Sequence, residues 1–210
     1  DRNGNALPCS VNEADGGYVI EFIAKDVPAL GYGIYTLTQE KAEFNKVQAT
    51  VNCIENEFLR VEIDENGLLD KVIDKETGRQ ILTGKGNLMT ISMDKPIIES
   101  AWNMEFDYQM KQWELLNAES IEVKEASELR GVVTVVRKFN KSTITQDIIL
   151  EKGKKTVDFD TTVDWWEKEK VLKAAFPVDI RSRNASCEIA HGAAEYPTHY
   201  NTCYDQAKFE

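Results

Sequence analysis

The chain alternates apolar and polar residues at a period of two along most of its length, and this pattern predicts β-strands. Apolar side chains at positions 18, 20, 22 and 24 share one face, and Leu59, Val61 and Ile63 alternate with charged residues. Residues 131–137 and 144–150 are predicted to form neighbouring strands, and residues 157–164 a further one. Many short strands separated by turns favour an all-β, antiparallel sandwich over a parallel α/β sheet.

Two turn signals divide these strands. Asn66-Gly67 predicts a tight hairpin turn in which both residues have positive φ, so that the strand ending near Asp64 pairs with residues 68–73. Residues 74–78 predict a second turn ahead of a short strand. The sequence has no sustained apolar stripe of helical period, although residues 113–128 could hold a short helical turn.

Net charge and cysteine content argue against some classes of function. The net charge is −11, from 25 basic and 36 acidic residues. This argues against binding to nucleic acid, because that binding requires Lys and Arg at the phosphates. The four cysteines lie far apart and only two histidines accompany them, so a structural zinc site is not expected. We expect buried free thiols at Cys9, Cys53, Cys187 and Cys203.

The sequence carries neither an N-terminal signal pattern nor an apolar run of about 18 residues, the length that spans a bilayer. We therefore expect a soluble, cytoplasmic protein without a membrane partner. The chain begins with Asp1 rather than Met, as an internal fragment would.

Three blocks of sequence carry a resemblance to a known family. They are NEFLRVEIDENGLLDKVIDKETGRQIL at 56–82, MDKPIIESAWNMEFDY at 93–108, and residues 172–210. In this order they resemble the α-mannosidases of glycoside hydrolase family 38, downstream of the catalytic domain. Residues 26–35 also resemble the end of a small β domain of that family, so the resemblance covers nearly the whole chain.

The resemblance implies an architecture of two parts. Residues 1–43 correspond to the end of a small linker β domain. Residues 44–210 correspond to the first part of the family's C-terminal domain, a β-supersandwich similar to galactose mutarotase. In the family the final segment continues into further strands, so the chain is expected to stop within a domain.

The resemblance also implies a function for the parent protein. That function is hydrolysis of terminal α-linked mannose with retention, through a glycosyl-enzyme intermediate and with zinc holding the sugar hydroxyls. In the family the zinc ligands and nucleophile lie in an N-terminal α/β domain that has no counterpart here. We therefore expect this chain to be non-catalytic, inactive alone and without a cofactor of its own. The parent's catalytic domain would bind mannose-containing oligosaccharides, and homo-oligomer contacts are left open.

Five residues are expected from the resemblance to form a wall of the sugar pocket. Trp102 and Asn103 align with a D-A-W-D segment of the family, and an aromatic ring suits the apolar face of a pyranose. Glu195, His199 and Asn201 lie in a segment similar to E-R-P-T-H-x-N-T-x-W-D. None of the five is expected to be catalytic, and the alternative for Trp102 is a plain core position.

The chain departs from the family in both segments. Ser100 and Asn103 replace the two acidic residues of D-A-W-D, Tyr196 stands where Arg is usual, and Tyr204 stands where Trp is usual. Any contact made by that arginine in the family is therefore not carried over.

Two functions of other classes are alternatives. One is a free-standing carbohydrate-binding module. The other is a mutarotase-like epimerase that uses His191 or His199 with a carboxylate for acid/base chemistry. For the segment that contains these histidines, packing of the sandwich against a neighbouring domain is the preferred interpretation. Retaining glycosidases need two carboxyl groups about 5–5.5 Å apart, and the 36 acidic residues nominate no single pair.

Two local patterns have plain structural interpretations. Asp158, Asp160 and Asp164 alternate with apolar residues, so we interpret them as the solvent face of a strand. In the pair Trp165 and Trp166, one ring is expected to face inward and its neighbour outward or into a domain interface.

Overall fold

The computed structural model describes residues 1–38, 42–98 and 105–199. Within these residues the regular structure consists of sixteen strands and one 3-10 turn, Phe106–Met110. The strands are β1 (Cys9–Ala14), β2 (Gly17–Phe22), β3 (Gln48–Thr50), β4 (Cys53–Glu55), β5 (Leu59–Ile63), β6 (Leu69–Asp74), β7 (Arg79–Gln80), β8 (Leu88–Met93), β9 (Gln112–Leu115), β10 (Ser120–Ala126), β11 (Arg130–Phe139), β12 (Ser142–Glu151), β13 (Asp158–Asp164), β14 (Lys170–Ala175), β15 (Asn184–Ile189) and β16 (Gly192–Pro197).

The strands form five antiparallel sheets. The largest has the order β3-β4-β5-β6-β7, the next β10-β11-β12-β13, and the third β14-β8-β9. Two hairpins, β1-β2 and β15-β16, make the remaining sheets. The all-β, antiparallel prediction is confirmed, and the predicted strands 131–137 and 144–150 are the neighbours β11 and β12.

The core consists of two clusters of buried side chains. The larger lies between the five-stranded and four-stranded sheets, and its members are Val47, Ile54, Leu59, Val61, Ile63, Leu69, Val72, Leu82, Val133, Val135, Ile148 and Leu150. The smaller joins the three-stranded sheet to β12 through Met89, Ile91, Leu115 and Ile144. Burial alternates along β12 from Ser142 to Leu150, so one face of this strand supplies both clusters.

The turn between β5 and β6 differs from its prediction. Gly67 has φ +75°, whereas Asn66 is not among the residues with positive φ. The Asp64 carboxylate explains the difference, because its Oδ1 accepts hydrogen bonds from the backbone N–H groups of Asn66 (3.0 Å) and Leu68 (2.9 Å). This geometry, with a register shift at Ile63, gives a longer connection with one left-handed residue instead of a two-residue turn with two.

The second turn is confirmed. Asp74 ends β6, its Oδ1 accepts from the Glu76 N–H and its Oδ2 from the Thr77 hydroxyl, and Gly78 has φ +70°. A short aspartate side chain thus replaces the backbone partners that the chain loses as it reverses.

The possibility of a short helical turn within residues 113–128 is not confirmed. That segment contains most of β9 and all of β10, and the 3-10 turn lies just before it. Trp113 and Leu115 pack on the smaller cluster and Ile121 on the larger. Burial at every second residue overrides the local ambiguity.

The last strand of the four-stranded sheet confirms the solvent-face interpretation. Phe159 packs against the larger cluster, whereas Asp158, Asp160 and Asp164 are exposed.

The two neighbouring tryptophans also lie as predicted. Trp165 is half-buried against the smaller cluster, and Trp166 is 67% exposed. The alternation of side chains in β13 continues into these two residues, so their rings point to opposite sides of the strand.

The N-terminal hairpin is exposed on nearly all of its residues. It is tied to the sandwich by Arg130, whose Nη1 and Nη2 donate to Glu21 Oε1 (2.6 Å) and Oε2 (3.1 Å). The Arg130 Nε donates to Glu125 at 2.7 Å. The division into residues 1–43 and 44–210 stays a prediction.

The cysteines differ in part from expectation. Cys9, Cys53 and Cys187 are free, but Cys9 is exposed and the other two are half-buried rather than buried. Cys9 is exposed because it begins a hairpin that contributes no residue to either core cluster. Cys203 lies outside the described residues.

No helix in the described ranges is long and apolar enough to cross a membrane. Across the same residues, no group of three or more His, Cys, Asp and Glu side chains is placed to hold a metal ion.

Replacing Gly67 with Ala is expected to destabilise the protein more than replacing Gly78 with Ala. Both glycines have positive φ, which costs alanine about 1–2 kcal/mol. A Cβ on Gly67 would also lie 2.6 Å from Val135 Cγ1, whereas one on Gly78 meets nothing within 4 Å. We expect about 1–3 kcal/mol more loss for Gly67→Ala, measured by urea unfolding. Equal losses would contradict the packing of this turn against β11.

The Asp64 carboxylate is expected to make stability fall at acid pH. Burial would raise the pKa of Asp64, but hydrogen bonds from Lys85 and from the Leu68 and Asn66 N–H groups outweigh it and hold this pKa below its usual value. A group whose pKa is lower in the folded state stabilises above its unfolded pKa, and loses that contribution as pH falls through the folded pKa.

Asp64→Asn should therefore lower the free energy of unfolding by about 2 kcal/mol at pH 7, and the difference from the unaltered protein should shrink below about pH 4. Asp164→Asn, at an exposed position, is the control and should change little at either pH. A difference for Asp64→Asn that stays constant from pH 7 to pH 2 would contradict the assignment.

Candidate functional site

Two of the predicted pocket residues, Glu195 and His199, lie on or beside the last described hairpin. Glu195 is in β16, where its backbone pairs with Ser186 of β15. Both side chains are exposed.

Hydrogen bonds fix the open end of this hairpin. The Thr198 N–H donates to the Arg183 carbonyl at 2.9 Å, and the Thr198 hydroxyl donates to the Ser182 carbonyl at 2.7 Å. The Ser182 hydroxyl in turn donates to the Asn184 carbonyl at 2.6 Å. His199 directly follows Thr198, whose position these hydrogen bonds fix.

The two histidines do not come together. His191 occupies the turn between β15 and β16 with φ +62°, at the end of the hairpin opposite His199. The six residues of β16 lie between them, and they span about 20 Å at the usual rise per residue. The hairpin therefore does not form a site that uses both histidines.

The other three predicted pocket residues, Trp102, Asn103 and Asn201, lie outside the described residues. Trp102 and Asn103 belong to the connection between β8 and β9, whose ends meet where the Met93 N–H donates to the Lys111 carbonyl at 2.9 Å. Their role in the pocket stays a prediction.

Tyr108 anchors one end of that connection. Its side chain is buried, and its hydroxyl oxygen accepts hydrogen bonds from Lys173 Nζ and Gln109 Nε2, both at 2.6 Å. Burial would raise the pKa of Tyr108, but the bonds from Lys173 and Gln109 outweigh it and set this pKa below its usual value. The phenol thus braces the connection against β14.

The sequence assigned no role to Tyr108, although it ends one of the family blocks. Lys173 is 65 residues further along the chain, and no local pattern marks a pair at that separation. The pairing depends on β14 lying beside β8, a contact between strands far apart in sequence.

A shallow cleft of about 310 Å³ lies on the outer face of the four-stranded sheet. Its lining is polar and includes no aromatic ring: Glu122, Lys124, Thr134, Thr145, Asp147, Asp160 and Thr162. Sugar-binding surfaces use aromatic rings against pyranose faces. This face therefore does not favour a free-standing carbohydrate-binding module.

Asp147 and Asp160 are directly opposite one another across β12 and β13. The Cβ atoms of directly opposed residues lie about 4.5–5.5 Å apart, a distance near the carboxyl separation in retaining glycosidases. However, Asp147 Oδ1 accepts from the Thr134 hydroxyl (2.6 Å) and Oδ2 binds Lys124 Nζ (2.5 Å). Burial would raise the pKa of Asp147, but these two bonds outweigh it and lower the pKa, which does not suit a general acid.

Comparisons with known proteins agree on one family. Residues 54–210 match the sequence signature described as the glycosyl hydrolases family 38 C-terminal domain. The chain is 31% identical to human alpha-mannosidase 2C1 over 197 residues, which is 88% of this chain and 19% of that protein. It is 33% identical to alpha-mannosidase G of Dictyostelium discoideum over 165 residues, which is 75% of this chain and 15% of that protein.

A solved structure shares the fold. The crystal structure of an alpha-mannosidase from Enterococcus faecalis V583 superposes with a TM-score of 0.64 at 18% identity, covering 80% of this chain and 22% of that one. The chain spans about a fifth of the length of the relatives it matches. Since the domain signature covers most of its residues, the chain belongs to glycoside hydrolase family 38, of which it carries C-terminal domain sequence.

Proposed function

We propose that this chain is the non-catalytic β portion of a retaining α-mannosidase that hydrolyses terminal α-linked mannose. The match of residues 54–210 to the family's C-terminal domain carries the proposal. The relatives are about five times longer than the part matched. Zinc and the catalytic carboxylates would belong to the remaining sequence, and mannose-containing oligosaccharides would be the substrate class.

Exposed apolar side chains support a scaffolding role. Of the 21 large hydrophobic residues exposed in the described ranges, nine fall between residues 11 and 37: Val11, Tyr18, Val19, Phe22, Val27, Leu30, Tyr32, Ile34 and Leu37. A concentration of this kind marks a protein interface rather than a free surface. We propose that this N-terminal surface packs against the remainder of the mannosidase polypeptide.

The second part of the proposal concerns the sugar pocket. Trp102, Asn103, Glu195, His199 and Asn201 would form a wall of a pocket whose catalytic groups lie elsewhere. The exposure of Glu195 and His199 supports this. The brace at Tyr108 supports it too, because it fixes the end of the connection that contains Trp102.

A cytoplasmic location is also proposed. Three cysteines are free, and free thiols are typical of proteins in a reducing compartment.

Hydrolysis of an aryl α-mannoside tests the assignment. The 210-residue chain and the same gene product with its native flanking sequence are assayed side by side with added zinc. We expect activity in the longer protein alone, because this chain is assigned no nucleophile and no zinc ligand.

Two outcomes would contradict the proposal. If the longer protein does not hydrolyse α-mannosides either with or without added zinc, the activity proposed for the parent protein is wrong. Hydrolysis by the 210 residues alone would place the catalytic groups within this chain. In the first case the family assignment would still stand, since it rests on sequence.

Trp102→Ala in the longer protein is expected to raise KM for the aryl mannoside by about tenfold, because loss of one aromatic stacking surface costs roughly 1–1.5 kcal/mol. Trp166→Ala removes an equally large ring at a position 67% exposed on the sandwich, and is the matched control. We expect unchanged KM for the control. An unaltered KM for Trp102→Ala together with lower thermal stability would instead identify Trp102 as a core residue.

A further inference from the structure

The turn between β5 and β6 contains an Asn-Gly pair. The Gly67 N–H donates to the Asp64 carbonyl at 2.9 Å, and the Asn66 N–H donates to Asp64 Oδ1. These bonds use the backbone of Asn66 and not its side-chain amide, and the residue is half-exposed. Because glycine has no Cβ, other groups can approach its nitrogen closely. The Asn66 amide is therefore placed beside a nitrogen that can attack it.

The reaction open to such a pair is deamidation through a cyclic imide. The Gly67 nitrogen loses its proton and bonds to Asn66 Cγ, the Cγ–Nδ2 bond breaks, and ammonia leaves with that proton. Water then adds to one of the two carbonyl carbons of the ring. Addition at Cγ breaks the Cγ–N bond and gives aspartate. Addition at the backbone carbonyl carbon breaks the original peptide bond and gives isoaspartate, whose main chain runs through Cγ and whose α-carboxylate is free.

Arg137 distinguishes the two carbonyl carbons. Its Nη2 donates to the Asn66 backbone carbonyl at 3.0 Å, and its Nε and Nη1 have no partner among the described residues. Water that attacks this carbonyl carbon places negative charge on the same oxygen, and a fixed cationic donor at this distance stabilises that charge. The donor is fixed because Arg137 is 1% exposed within the sandwich. Attack that yields isoaspartate is therefore favoured.

The isoaspartate product also gives Arg137 a counter-charge. Asp64 interacts electrostatically with Arg137, but its Oδ2 pairs with Lys85 Nζ at 2.8 Å. The α-carboxylate of isoaspartate keeps an oxygen in place of the original carbonyl oxygen, so a full negative charge would face the guanidinium. A buried cation is costly until a charge of opposite sign pairs with it.

The N-terminal residues form a second turn of the same kind. Asp1 Oδ1 accepts from the backbone N–H of Asn3 at 2.9 Å, and the Asp1 carbonyl accepts from the Gly4 N–H at 3.0 Å. Gly4 has φ +79°, close to the φ +75° of Gly67. A Cβ on Gly4 would meet no atom within 4 Å, whereas one on Gly67 would lie 3.0 Å from Arg137 Nη2. The first turn is therefore a matched comparison that lacks the arginine.

We infer that Asn66 is a site of spontaneous deamidation at which Arg137 directs the product to isoaspartate. The reacting unit is the Asn-Gly peptide itself, water is the co-reactant, and ammonia is released. The inference does not depend on mannosidase activity, because it uses residues of the sandwich alone.

The test is incubation of the folded chain in mildly alkaline buffer, followed by pepsin digestion at acid pH, where further deamidation is slow. Mass spectrometry with electron-transfer dissociation then measures the ratio of isoaspartate to aspartate at positions 66 and 3. We expect this ratio to be about tenfold higher at position 66, because a hydrogen bond to a charged group is worth a factor of about ten or more. In the chain unfolded by guanidinium the two ratios should be equal.

Arg137→Met should lower the ratio at position 66 to the ratio at position 3. Arg130→Met, on the same strand but paired with Glu21 and Glu125, should leave both ratios unchanged. Equal ratios in the folded chain, or no deamidated product at position 66 after Asn3 is fully converted, would overturn the inference. If Arg137→Met does not fold, the unfolded chain decides: an excess of isoaspartate at position 66 that persists there would show that local sequence, not Arg137, sets the product.

Discussion

The inward face of β12 is the constraint on which the sandwich depends. Ile148 and Leu150 pack into the cluster between the two larger sheets, while Ile144 packs into the cluster under the three-stranded sheet. Gln146 lies between them and bonds to Asn87. A slip of one residue in the pairing of β12 with β11 would turn all of these side chains to solvent at once. Both clusters therefore require the same register.

Much of the fold could be predicted from period-two alternation, because alternation reports directly on which side chains are buried. It placed β5, β11, β12 and β13, and it separated Trp165 from Trp166. Features that depend on side chains far apart in sequence could not be predicted. The Asp64 carboxylate reshapes the turn at Gly67 through contacts that an Asn-Gly signal does not encode. Arg137 is a partial exception, because its position in the period-two pattern of β11 agrees with its burial, whereas its partners cannot be read from that pattern.

The residues of the candidate site were predicted from the resemblance to the family rather than from physical patterns in the sequence. Glu195 and His199 were predicted from a family motif. The structure shows that both side chains are exposed and that His191 lies at the far end of the hairpin. The brace between Tyr108 and Lys173 came from the structure alone, since it joins a turn to a strand 65 residues away. Sequence patterns indicate which faces of the strands are buried. The hydrogen-bond partners of long polar side chains depend on how the sheets pack against one another.

The exposed aspartates of β13 have a consequence for solubility. In the described part of the chain, β13 pairs only with β12, so its other side is an open sheet edge. Such an edge can template pairing with a second molecule. Asp158, Asp160 and Asp164 place like charges along that edge, and a strand of another copy would bring three more against them. Repulsion between these like charges therefore opposes edge-to-edge association of two copies of the chain.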